Sequence, residues 1–585
     1  MTNKPLYTVP GVYRDGCDII FAAADRQKQG MTLLLVDPAN GETVEEIPMT
    51  PSDRRGSLLT ASVKCEREPI AYLFRSAGRI ITDPYARMIK NGLCYVPPKE
   101  KEVSRTEPAG PRIEKTSDLV IYRLHVRGLT MTDSRFDERE AGTFSALSRR
   151  IQSISRTGFN AVELMPAYDF DDTLKDSTKK NYWGYAETNR YLAPNPRYAA
   201  TDDPVGEFRD LVRQCHKCGT AVIMEFFFPS GCDPFIGWQA LRYWKEAYDV
   251  DGFRIIGEGM PHDVLLADPY LADRCLIFER SSEELLSRFR QRLQSGVLFE
   301  NDDFRMTARA FLKGDGGQTS PFVHKTLRST TWWTPVNDMA DSNGFTLFDA
   351  VSYENKHNEA NGENNRDGSD HNVTWNGGAE GPTKNRRIIE LRQRQIRNAL
   401  AYVFLAQGVP LVNAGDESGN TQGGNNNAYC CDDPTGWVDP VRTAFSKSLR
   451  SYVRDLADLR RRYPVLRTGR PLREINESAK GFPEVSLHGD KAWFFDFAYE
   501  RRAFGILYSG KPDSFLYVIY NSSPDAEVIA LPDLPSGCGW QKIMDTGRAA
   551  RPVFPDAPEA IDKTKTIEAA PRTVTVLRAA KLTDD

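Results

Sequence analysis

Three carboxylates, Glu258, Glu279 and Asp341, lie at or just beyond the ends of short apolar runs, and Glu225 and Arg254 sit inside such runs. Two carboxyl groups held about 5 Å apart can divide the roles of proton donor and nucleophile across a bond to be broken. If the strands continue, period-two alternation points Glu258 to the side of Ile256 and Asp341 to the side of Asn343. A buried arginine without a counter-ion is costly, so one or more of Glu225, Glu258 and Asp341 is expected to pair with Arg254.

The elements that must position these groups read as apolar strands at 119–125, 161–165, 221–228, 252–256, 276–279 and 409–414. Helix-period segments such as 208–217 and 239–247 fall between them. Repeated βα units argue for an α/β fold with a parallel barrel, and such a barrel presents its chemistry at the C-terminal ends of the strands. We place a (β/α)8 TIM barrel at 111–470. An N-terminal β-sandwich plus linker occupies 1–110, from alternating runs such as 31–36 and 69–74 and a Pro-, Lys- and Glu-rich stretch over 96–114. A C-terminal β-sandwich occupies 471–585, with strands expected at 493–497 and 514–520.

Composition limits the partners. Seventy-six Lys plus Arg against 80 Asp plus Glu leaves a net charge of -4, which excludes field-driven steering to nucleic acid or an anionic membrane and suits a neutral ligand. No run approaches the length of a membrane span, and the first residues lack the apolar core of a secretory leader, so a soluble cytoplasmic protein is expected. Cys215-His216-Lys217-Cys218 lacks a second ligand pair and reads as one helix face, with no metal site.

Several stretches carry a family resemblance. They are Asp83-Pro84-Tyr85-Ala86-Arg87, Tyr122-Arg123-Leu124-His125-Val126-Arg127, Asn181-Tyr182-Trp183-Gly184-Tyr185, the loop from Lys356 to Gly368, Gly415-Asp416-Glu417, and Thr421 through the triple asparagine Asn425-Asn426-Asn427. Together they resemble isoamylase and glycogen-debranching members of glycoside hydrolase family 13 over nearly the whole chain. The resemblance implies an α-amylase-type barrel, a starch-binding-module-like N-terminal sandwich, an α-glucan ligand and no cofactor. Ligand spacing reveals no calcium site.

Carried over residue by residue, most of the family's catalytic positions differ. The nucleophile position holds Ile256 and the transition-state-stabilising Asp position holds Asn343, preceded by Ser342 where the family writes His. Glu225 to Ser230 stands where the family writes Asp-Val-Val-Tyr-Asn-His. Glu279 is the counterpart of the general acid. Tyr182, Trp183 and Tyr185 fall in a substrate motif, and Arg254, Ser342, Glu258 and Asp341 complete the expected substrate-binding set. The Trp332-Trp333 pair is a further candidate sugar-stacking surface. The loop after the third strand is short, and the N-terminal module has no tryptophan before Trp183 to stack on a sugar. The expected function is α-glucan metabolism by a catalytically deficient protein that binds branched glucan or assists an active glucan-processing enzyme. The alternative is an active α-1,6-glucosidase with a relocated carboxylate pair.

Overall fold

The computed structural model describes residues 10–51, 56–64, 70–97, 113–174, 177–280, 282–294, 296–328, 333–439, 443–474, 481–509, 515–548, 553–561 and 564–582. Most of the expected 96–114 linker and Trp332 lie outside these residues. Eight parallel strands close a barrel: β1 (Ile121–Leu124), β2 (Ala161–Leu164), β3 (Ala221–Phe227), β4 (Gly252–Ile256), β5 (Cys275–Phe278), β6 (Val297–Glu300), β7 (Thr334–Asn337) and β8 (Val409–Asn413), with β8 pairing back onto β1. Six of these answer the apolar runs read from the sequence. β6 and β7 were not among them; β7 is half polar, Thr-Pro-Val-Asn, while β6, Val-Leu-Phe-Glu, is no shorter than β5.

Period-two alternation divides the strands into two faces. Ile121, Ala161, Ile223, Ile277, Leu298, Val336 and Leu411 form an apolar cluster that fills the lower barrel. The outward faces pack under the helices, where Phe226, Phe253, Leu276 and Phe278 join the main core. β4 opens on Gly252, where a Cβ would stand 2.8 Å from the carbonyl oxygen of Cys275 on β5.

The helix after β3 explains a short connection. Asp233 caps the helix Pro234–Tyr248 by accepting from the Phe235 N–H at 3.1 Å, and Pro234 occupies the first turn, so the helix begins seven residues after β3 ends. The third-strand loop is therefore short, as the spacing from Ser230 predicts. Cys215, His216 and Lys217 end the helix Pro204–Lys217, and His216 Nε2 lies 2.9 Å from Asp251 Oδ2.

Ahead of the barrel, two antiparallel sheets enclose Phe21, Tyr72 and Phe74, and these rings fill the module's own core. Behind it stand a six-stranded antiparallel sheet and a two-stranded one. The expected strand at 493–497 is absent: Lys491 bridges Phe494 across a tight turn, with Trp493 in the left-handed region at φ 63°. The six-stranded sheet and the barrel share one aromatic cluster. Phe311 and Phe322 from barrel helices stack at 4.4 Å, Phe322 meets Tyr402 at 4.8 Å, and Phe322 also meets Tyr520 of the C-terminal sheet at 5.5 Å, with Phe504 stacked on Tyr520 at 5.1 Å.

Candidate functional site at the barrel mouth

Above the apolar floor, the inward positions change character within one step of the alternation. Arg123 on β1, Glu163 on β2, Glu225 on β3, Arg254 on β4 and Glu300 on β6 form a charged layer. Arg254 Nε donates to Glu163 Oε1 at 2.7 Å, and its Nη1 donates to Glu300 Oε1. Arg123 donates from Nε to Glu225 Oε1, from Nη1 to Asp341 Oδ1 at 2.6 Å, and from Nη2 to the Tyr185 hydroxyl at 3.1 Å. Tyr185 in turn donates to Glu225 Oε2 at 2.7 Å. Arg305, from the helix Asp302–Lys313, holds Asp338 at 2.8 Å and approaches Asp341 at 3.7 Å.

The partners of Arg254 thus differ from those expected. Glu225 and Asp341 are engaged by Arg123, Glu258 is exposed to solvent, and Glu163 and Glu300 take Arg254. Glu163 was legible as a lone acid in the inward series of a four-residue apolar strand. Glu300 closes an apolar run in the same way that Glu279 does.

Four of the five members of the layer are buried, and Glu300 is half-buried. Arg123 is 5% exposed, Arg254 1%, and Glu163 and Glu225 0%. Burial and the neighbouring Glu225 charge push the Glu163 carboxyl up to about 8, against the pull of Arg254. Burial likewise raises Glu300 to about 7. Burial also opposes ionisation of Glu225 and Asp341, but the arginines outweigh it and hold both below the usual carboxylate range, Arg123 and Arg254 for Glu225, Arg305 and Arg123 for Asp341. The layer thus holds two carboxyls raised by burial, Glu163 and Glu300, beside two that the arginines keep ionised, Glu225 and Asp341.

The positions given catalytic roles by resemblance lie above this layer. Ile256 ends β4, half-buried, and continues the inward series from Arg254. Glu279 follows β5, is exposed, and accepts from the Gly257 N–H at 3.1 Å. Asn343 is exposed and Ser342 half-buried, its hydroxyl donating to Asp341 Oδ1 at 3.3 Å. Isoleucine offers no nucleophile, so on these positions Glu279 alone brings an ionisable group to the mouth.

The aromatic motif divides. Tyr185 reaches the charged layer, whereas Tyr182 and Trp183 are 5% and 6% exposed and pack with Met165, Ala428, Cys430 and Cys431. Tyr182 lies 4.0 Å from the His125 ring, and Trp183 meets Tyr185 and Tyr429 edge-on. Neither offers an open face for a sugar to stack on. Trp333 is also engaged, with Phe299 at 5.3 Å and the Arg328 guanidinium over its ring at 4.9 Å.

The asparagine run beside the mouth is spent on structure. Asn358 Nδ2 and the Asn426 N–H exchange hydrogen bonds with the Asn426 and Asn358 side-chain oxygens at 2.9 and 3.0 Å. Asn425 Nδ2 donates to Asn361 Oδ1 at 2.8 Å, while Asn361 and Asn427 both donate to Asp367 Oδ2, at 2.7 and 3.0 Å. Two loops distant in sequence are thereby stitched together.

A closed eight-stranded parallel barrel with antiparallel sheets before and after it defines the class of protein. The fold is similar to that of a type I pullulanase from Bacillus subtilis crystallised with maltose, with a TM-score of 0.74 and 19% identity, covering 98% of this chain and 85% of that one. Among curated sequences, the chain is 27% identical to the chloroplastic isoamylase 1 of Arabidopsis thaliana over 94% of its own length and 86% of the relative's. It is 29% identical to a glycogen debranching enzyme of Serratia proteamaculans over 79% and 84% respectively. No protein-family profile matches the chain. The chain is thus similar in sequence to isoamylases and glycogen debranching enzymes over most of its length.

Proposed function

We propose that the protein acts in α-glucan metabolism as a catalytically deficient relative of the debranching enzymes, working by binding branched α-glucan. The observation that carries this reading is the pair Ile256 and Arg254: the residue at the nucleophile position cannot attack, and the arginine beneath it is committed to Glu163 and Glu300. A retaining glycosidase needs two facing carboxyl groups. Glu225 and Glu163 are sealed beneath the mouth, and Asp341 is tied to Arg123. Assistance to an active glucan-processing enzyme is a further role open to such a protein. A cytoplasmic setting is supported by the nine cysteines among the described residues, all of them unpaired. No described helix is long and apolar enough to cross a membrane.

A second reading keeps a chemical step. Glu258 and Glu279 are both exposed, and Glu279 is hydrogen-bonded to the backbone of Gly257, the neighbour of Glu258. This juxtaposition supplies two carboxyls at adjacent strand ends. The experiment that separates the readings is reducing-sugar release from glycogen, amylopectin and pullulan by wild type, Glu279→Gln and Glu258→Gln. Equal background in all three supports the binding protein. Turnover that either substitution abolishes refutes the deficiency.

A further inference from the structure

Four exposed aromatic residues fall within one seven-residue stretch after the barrel: Trp493, Phe494, Phe497 and Tyr499, at 45%, 55%, 45% and 67% exposure. Their setting is built rather than loose. Trp493 takes a left-handed φ of 63°, a conformation costly for a bulky residue and kept only where the surroundings fix it. Its N–H donates to His488 Nδ1 at 2.9 Å, and its ring is backed by His488 at 5.0 Å and Phe482 at 5.9 Å. Phe497 stacks on His324, a barrel-helix residue, at 6.0 Å. Tyr499 lies over Gly316 and Gly317; a Cβ on Gly317 would meet its ring at 2.9 Å, and the Gly317 N–H donates to the Tyr499 carbonyl at 2.8 Å.

The location is remote from the mouth. The helix Asp302–Lys313 starts just past the C-terminal end of β6 and runs away from it for 12 residues, about 18 Å, before the chain reaches Gly316. The charges also bear on the occupant. Between 490 and 501 stand Asp490, Asp496 and Glu500 against Lys491 and Arg501, and Arg501 engages both Asp496, at 2.7 Å, and Asp490, at 3.7 Å. The strip thus offers ring faces and hydrogen-bonding groups with little net charge, which complements a neutral polyhydroxylated chain whose C–H faces stack on aromatic rings.

We infer that 493–499 is a surface platform for an α-glucan chain, distinct from the barrel mouth. The inference rests on the glucan-binding reading above and adds to it where the polymer is held. The N-terminal module, with Phe21, Tyr72 and Phe74 turned into its own core, has no comparable strip built from those rings.

The test is affinity electrophoresis of the full chain in gels containing glycogen, with Trp493→Ala, Tyr499→Ala and the double substitution, and near-ultraviolet circular dichroism to confirm that each variant is folded. Each single change is expected to weaken retention roughly three- to tenfold, the scale of one lost ring contact, and the double change to weaken it more. Retention of wild type that is unaltered in the folded double variant overturns the platform and leaves the glucan-binding reading standing. Absence of retention in wild type overturns both. Self-association in light scattering that Trp493→Ala abolishes, without any effect on glycogen retention, assigns the strip to a second copy of the chain and also overturns the platform.

Discussion

Arg254 on β4 and Glu163 on β2 meet at 2.7 Å across the interior of the barrel, and both side chains are almost wholly buried. Such a pair contributes little compared with well-packed apolar residues, but removing Arg254 leaves the buried carboxyls of Glu163 and Glu300 without their donor. Arg254→Met is therefore expected to lower unfolding free energy by about 3–5 kcal/mol, measured by urea denaturation. Arg254→Lys should recover only part of this, because an ammonium cannot bridge Glu163 and Glu300 as a planar guanidinium does. Full recovery by lysine would mean that the bridging geometry is unimportant.

Stability should fall with rising pH through this same layer. Glu163 titrates near 4.5 when unfolded and is pushed up to about 8 in the fold. Between those values the folded state keeps a proton that the unfolded chain has released, so the contribution is present in mild acid and lost as pH rises through 8. Glu300, raised to about 7, acts with the same sign. In Glu163→Gln the component from Glu163 disappears. The stability difference between wild type and this variant should shrink on the order of 3 kcal/mol between pH 5 and pH 8. A difference that stays flat over that range refutes the assignment.

Trp183 lies in a motif that suggests ligand contact, yet it packs as core. Trp183→Ala is expected to cost about 3–5 kcal/mol of stability, against near-neutral changes at the exposed Trp493. Thermal unfolding of the two variants side by side gives the comparison.

The asparagine stitching should be measurable one strand of the network at a time. Asn426→Ala removes an amide bonded to Ser369, Asn372 and Asn358 and leaves buried partners unsatisfied. A loss of about 1–3 kcal/mol is expected from urea denaturation. Glycogen retention should survive in the folded variant, since those amides face each other and not the solvent.

Ile256→Asp tests whether one carboxylate is enough. Release of reducing sugar from glycogen is expected to stay at background, because Asn343 still stands where the resemblance puts the stabilising Asp and Arg254 remains tied to Glu163 and Glu300. Activity in this single variant would show that the mouth is otherwise intact.

Six of the eight barrel strands were legible because long apolar runs bounded by turn residues carry a strong signal. β7 escaped it: four residues with a proline and two polar side chains hold a place in the barrel through their neighbours rather than their own pattern, whereas β6, Val-Leu-Phe-Glu, was as readable as β5. At the mouth, the residue types were readable and the pairings were not. The sequence suggests Glu225, Glu258 or Asp341 as the partner of Arg254, whereas barrel closure brings Glu163 from β2 and Glu300 from β6 across the interior to it. Likewise the apolar text at 493–497 suggests a strand, but the bond from the Trp493 N–H to His488 bends it into a turn.

The stack of Phe311, Phe322, Tyr402, Phe504 and Tyr520 leaves the barrel and the C-terminal sheet without a seam. Rings contributed from both sides interleave, so parting the two would wet several of the largest apolar faces at once. Melting should then be all-or-none across that junction, and a chain cut after 474 should be a poor folder rather than a smaller working barrel.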